Sequence, residues 1–281
     1  MTRDNLAHCS IGELAVLLRR RETSPVELAK LALQRLEQIG RRLNAVIALT
    51  AERAVDEARR VVAAGLVPFA LGTKTWGSII VPASSCGVTG LRPTYGRVSR
   101  FGAMTLSWTL DKIGPLVRTA EDCALVLAAV AGPDPRDLAT IPQPWSDVLA
   151  PERRQGFRIG VLKSGLEFAQ PEVVANFRAA LAVLREFATL EPIALPDRPY
   201  GQVIRVVLSA EAASVFEELV ISGATRILTA PEDRVGGIAG LTIPAVDYLR
   251  AQRICRQLRA ELTPRLVLYD AIVAPSTLVV A

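Results

Sequence analysis

GTKTWGSIIVPASSCGVTGLRPTYGRVSRFGAMTLSWTLDKIGP, residues 72–115, is the stretch on which the reading of this chain turns. It follows a short strand-like run, PFAL at 68–71, and reaches Gly77 and Ser78 before a proline-bounded loop. A serine here is either a turn former, its hydroxyl spent on nearby backbone, or a nucleophile presented on a turn. Small residues around it let backbone N–H groups face outward, which suits the second reading as well as the first. The residues alone leave both open.

On the C-terminal side of the stretch, Thr119 stands before AEDCALVLAAVAG, a buried-helix pattern with acids in its first turn and Gly132 at its end. GPDPRDLATIPQP then reads as a loop. Residues 157–163 (FRIGVLK) have the pattern of a strand, and PEVVANFRAALAVLREFA that of an amphipathic helix. A strand near PIAL, helices around 201–222 and 244–262, and a buried-strand pattern in YDAIVAPSTLVVA complete that half. On the N-terminal side, Ser10 to Glu13 and Ser24 to Glu27 are capping boxes, the second with Pro25 in the first helical position and Gly40 to end its helix. NAVIALT reads as a short strand, with Thr50 capping a third helix. Strands alternating with helices predict an α/β fold, a sheet covered by helices on both faces, in one domain over residues 1–281.

Composition narrows the function classes. Half of the 281 residues are hydrophobic, enough for a substantial core, and no apolar run is long enough to span a bilayer. The N-terminus lacks a continuous apolar h-region, so a cytoplasmic protein with no membrane partner is expected. The cysteines at 9, 86, 123 and 255 are scattered, and His8 is the single histidine. A protein-built metal site and a Ser-His-Asp triad are therefore not expected, and no metal or cofactor is predicted. The net charge of +5 is spread through candidate helices, and Arg19-Arg20-Arg21 runs straight into Glu22. That is the pattern of a solvated helix face, and no nucleic-acid partner is expected.

From Gly72 to Asp137 the sequence resembles the amidase signature family, the Ser-Ser-Lys hydrolases of carbon–nitrogen bonds. SIGELAVLLRRRETSPVELAK and RLNAVIALTAERAVDEAR look like the family's start, and SAEAASVFEEL, IPAVDYLRAQR and YDAIVAPST like its C-terminal half. The resemblance implies the family's mixed-sheet fold in incomplete form. It implies Ser78 as the acyl-accepting nucleophile and the backbone N–H groups of Thr75, Trp76 and Gly77 as an oxyanion hole. It also implies a small-molecule amide substrate, no metal and no other cofactor, and it leaves a homo-oligomer open.

Several positions depart from the family pattern. Trp76-Gly77 stands where many members have Gly-Gly, Lys74 where the family usually has an acid, and Ile79-Ile80 where many have Ile-Arg. The family's lysine base, in a V-x-K-D motif, and its bridging serine, in a Gly/Ser-rich run, have no counterpart here. AERAVDEARR passes directly into VVAAGLVPFALGT, a junction near 60–61 that reads as an internal gap, and the chain ends ahead of the family's last strands and helix. Lys74 is the lysine nearest Ser78 in sequence and the candidate substitute base; on an exposed loop it would stay charged. Ser84 and Ser85 are read as packing or turn residues, Asp111 as a loop hydrogen-bond partner, and Asp122 as a first-turn acid. Three functions follow: an amidase with impaired turnover, a non-catalytic remnant that binds or regulates, or the A-type component of a tRNA-dependent amidotransferase.

Overall fold

The N-terminal helices start where their caps place them. Ser10 and Ser24 lie in extended backbone and accept from the N–H of Glu13 and Glu27, whose carboxylates reach back to the serine N–H at 2.7 and 2.8 Å. These boxes open α1 (Ile11–Arg19) and α2 (Pro25–Arg35), and the chain continues past α2 in a single π-helical turn, Leu36–Gly40. The computed structural model describes residues 6–40, 67–143, 145, 156–163, 165–231 and 233–280. The strand expected at 44–50, the helix from Ala51 and the junction near 60–61 lie outside the described residues.

The described residues group into two compact units. The first holds the described residues up to 104 and from 111 to 145, and the second holds 105–110 and the described residues from 156 to 280.

In the first unit, β1 (Ala70–Lys74) and β2 (Thr89–Gly90) flank β3 (Lys112–Val117) in an antiparallel sheet. Alternation along β3 explains its cover. Leu116 packs with Ile79 and Ala83 of the segment leading through α3 (Ile80–Cys86), and Val117 on the opposite face packs with Cys123 and Val126 of α4 (Ala120–Val130). This sheet is thus covered by a helix on each face, as predicted. Ile79, Leu116 and Val117 are completely buried, each contributing about 1.5–3 kcal/mol of burial free energy. Thr119 caps α4 by accepting from the Asp122 N–H, as its sequence implies. The Asp122 carboxylate also accepts from Ile11 N–H at 3.0 Å and Gly12 N–H at 3.3 Å, closing the first turn of α1 from 110 residues away.

In the second unit, β4 (Phe157–Leu162) lies parallel to β5 (Ala188–Ile193) on one side and β6 (Ala271–Val273) on the other. The helix α5 (Pro171–Leu184) lays Phe177 and Leu181 on Val161. Four helices follow: α6 (Tyr200–Val215), α7 (Glu217–Ile221), α8 (Asp233–Leu241) and α9 (Ala245–Leu266). Leu110 joins the core that Val203 and Val207 of α6 form with Ala251 of α9. Beside it the buried Glu211 carboxylate accepts from the hydroxyls of Ser107, Thr109 and Tyr248 and from the Thr109 N–H. A carboxyl group buried this deeply is tolerated because its oxygens are hydrogen-bonded.

In this second unit, β5, β6 and α8 differ from expectation. The strand expected near PIAL starts four residues earlier and ends at Ile193. The C-terminal strand pairs over only three residues, Ala271 and Ile272 are exposed, and among the described residues β6 is an edge of its sheet. Helix α8 is hidden in the sequence by its glycines, which serve close packing: a Cβ at Gly240 would lie 2.6 Å from the Ser209 carbonyl oxygen and 2.8 Å from the Ala213 Cβ of α6.

Candidate active site

The chain leaves β1 at Lys74, bends through Thr75, Trp76 and Gly77, turns at Ser78 and enters α3. The proline-bounded segment after Ser78 is therefore a short helix, with Pro82 in its first turn where its missing N–H costs nothing. Ile79 anchors this turn by filling the space over Leu116, so the half-buried Ser78 beside it is held at the edge of the packed region. Among the described residues, Thr75 and Gly77 donate no backbone hydrogen bond, and the Ser78 hydroxyl has no partner. The Gly77 carbonyl accepts from Val81 N–H at 3.0 Å, which fixes the plane of the Gly77–Ser78 peptide. The Thr75 hydroxyl donates to Asp111 Oδ1 at 2.6 Å, tying the start of the turn to the entry of β3. Asp111 thus makes the loop hydrogen bond predicted for it.

Lys74 corrects the sequence reading. It is the last residue of β1, not a loop residue, and only 4% of it is exposed. Directly opposite it in the antiparallel register is Lys112, the first residue of β3. Residues opposed in this way point to the same face, and Lys112 shares its face with Gly114 and Leu116, the face α3 covers. Both lysines therefore lie on the side of the sheet to which the Ser78 turn belongs. Burial pushes the Lys112 ammonium below its ordinary pKa; Arg92 pushes it the same way, Asp111 opposes, and Arg100 adds to the lowering.

Other named residues stay outside the turn. Ser84 and Ser85 are exposed on α3, and their hydroxyls donate to the Val81 carbonyl, a local helix bond. His8 is exposed. Among the described residues, no three His, Cys, Asp or Glu side chains gather as metal ligands, and no helix is long and apolar enough to cross a membrane. Sequence reading misses Lys112 as a neighbour of Lys74. The alternation of DKIGPLV is broken by Gly114 and Pro115, so nothing local announces β3 or its register.

Comparison with known proteins gives the family. The model of the Amidase family matches residues 60–281. The chain belongs to the amidase family. It is 39% identical over 248 residues to the A-type component of the glutamyl-tRNA(Gln) amidotransferase of Roseiflexus castenholzii, covering 78% of this chain and 50% of that protein. Among solved structures, the corresponding amidotransferase component from Thermotoga maritima superposes with a TM-score of 0.66 at 32% identity, over 80% of this chain and 50% of that one. A chain of a "vestigial protein complex" linked to the origins of an s-triazine catabolic enzyme superposes with a TM-score of 0.73 at 33% identity, over 80% and 49%. The chain spans about half the length of the curated relatives it matches.

Proposed function

We propose that the chain is an amidase-family hydrolase of a carbon–nitrogen amide bond that works through an acyl-serine at Ser78, with slow turnover. The observation that supports this reading is the turn itself. Ser78 stands beside a completely buried anchor, and the turn's first residue, Thr75, is pinned by Asp111. The N–H groups of Thr75, Trp76 and Gly77 are the oxyanion donors in this reading: they stabilise the charge that develops on the carbonyl oxygen as Ser78 Oγ attacks the carbon. Lys74 is the substitute base, replacing the family lysine that the sequence lacks. Loss of an optimised base costs about two to four orders of magnitude in rate, hence slow turnover. Both compact units belong to one amidase-like domain in this reading, the substrate is a small amide, and the protein is cytoplasmic.

The identity to the A-type components of amidotransferases favours a second reading, in which the chain works within an assembly whose other members deliver ammonia and bind tRNA. The missing base favours a third, a scaffold that binds a partner without chemistry.

A fluorophosphonate serine probe followed by intact-mass measurement separates catalytic from non-catalytic readings. The expected result is a single adduct on the wild type that is absent from Ser78→Ala. A folded wild-type protein that takes no adduct overturns the hydrolase reading and leaves the scaffold.

A further inference from the structure

Helix α9 carries more positive charge than its own acids neutralise. Those acids are engaged already: Asp247 pairs with Arg250 at 2.8 Å, and Glu261 pairs with Arg198 and Arg265. Arg253, Arg256 and Arg259 follow at three-residue spacing, which keeps them on neighbouring positions of one helix face. All three are exposed, and among the described residues none has a carboxylate partner. Toward the helix start the same face continues in Val246 and Leu249, 56% and 59% exposed. These five side chains, with Gln252 and Cys255, line a concavity of about 620 Å³. The face is thus apolar at one end and cationic at the other.

The second unit also carries the complementary surface. Helices α6 and α9 run antiparallel. Arg198, just ahead of α6, pairs with Glu261 near the end of α9, and Glu211 near the end of α6 accepts from Tyr248 near the start of α9. The end of α6, and α7 after it, therefore lie toward the start of α9. On α7, Glu217 and Glu218 are exposed, and among the described residues their carboxylates have no cation partner. Leu219 and Ile221, 36% and 70% exposed, add apolar surface beside them.

We propose that this face of α9 is a dimer interface whose occupant is a second copy of the chain, packed antiparallel about a two-fold axis near Leu249. Val246 and Leu249 then meet their own counterparts at the centre. A helix rises about 1.5 Å per residue, so Arg253 to Arg259 stand about 6 to 15 Å beyond Leu249. That reach takes them to the first residue of the opposite α9 and past it, toward Glu217 and Glu218 of the second copy. The two-fold axis repeats the contact, so two charge-complementary patches flank one apolar centre. This is the layout of an interface with an apolar core and a polar rim. Nucleic acid suits the face less well. No aromatic side chain lines it to stack a base, and a phosphate backbone offers nothing to its apolar end.

Light scattering on the full chain at about 100 μM, a hundredfold above a Kd of about 1 μM, is expected to give twice the chain mass in low salt. Arg253→Glu with Arg256→Glu sets acid against acid across the interface, and Glu217→Arg with Glu218→Arg sets base against base. Each double variant should dimerise at least about tenfold more weakly than wild type. Mixed in equal amounts, the two variants should recover the dimer as a heterodimer, because opposite charges then meet at both patches. The four side chains are exposed, so neither variant disturbs the core. A wild type that is monomeric under these conditions overturns the proposal. So does a dimer indifferent to both variants, or one that mixing fails to restore. A monomeric wild type that binds a single-stranded RNA oligonucleotide, and loses it in Arg253→Glu with Arg256→Glu, overturns the dimer and assigns the face to nucleic acid.

Discussion

Gly114 sits in β3 where a Cβ would press on the Leu91 carbonyl oxygen and come within 2.8 Å of Pro93 Cδ and 3.3 Å of Ile79 Cδ1. Backbone cannot give way as a side-chain tip can, so Gly114→Ala should cost about 1–3 kcal/mol, read as a lower urea midpoint. Because Ile79 is the anchor of the Ser78 turn, the same variant should also slow probe labelling at Ser78. The residue scale is where sequence reading is least complete. The turn at Ser78 is legible from the glycine and small residues around it. Lys74 is misplaced because burial depends on the strand opposite, and that strand is not visible in the sequence. Asp122 reads as a first-turn acid, which it is. Its second task, closing α1, needs a contact 110 residues away that no local pattern encodes.

Among the elements, the corner between residues 95 and 140 is built on two carboxylates. Asp137 accepts from Arg100 N–H at 2.8 Å, from the Arg100 guanidinium and from Ala139 N–H, and these bonds hold its pKa below the usual carboxylate range, the Arg100 N–H most of all. Asp134 is held low as well, chiefly by the Arg136 side chain and N–H and by the Ser99 hydroxyl. A carboxyl whose folded pKa lies below its unfolded value binds fewer protons when folded. Its stabilisation is full above about pH 4 and is lost as pH falls through the folded value. The protection of the Arg100 amide relative to its intrinsic exchange rate should therefore be high near neutrality and fall in acid, and in Asp137→Asn it should be low at both pH values. Helices with sequence-coded ends, such as α1, α2 and α4, are legible from their caps. Helix α3 reads as a loop because seven residues are too few to show a period, and α8 because glycines that permit close packing also mimic a loop.

For the whole molecule, the division into two compact units is not legible either. Residues 105–110 belong with the second unit although both neighbours in sequence belong with the first, and TLSWTL carries no linker signal. Their attachment depends on Glu211, whose carboxylate collects Ser107 and Thr109 from about a hundred residues away. The α/β class, by contrast, follows from alternating patterns alone.

The basic residues number 33, but only four are lysines, and the structure sorts these four into two kinds. Lys74 and Lys112 are buried or half-buried at the sheet, whereas Lys30 on α2 and Lys163 just past β4 are exposed. An amine-reactive ester applied at neutral pH and read by peptide mapping should therefore modify Lys30 and Lys163 ahead of the other two. Grafted onto a sensor chip or a fluorophore by such an ester, the protein would be held through lysines that are not part of the serine turn.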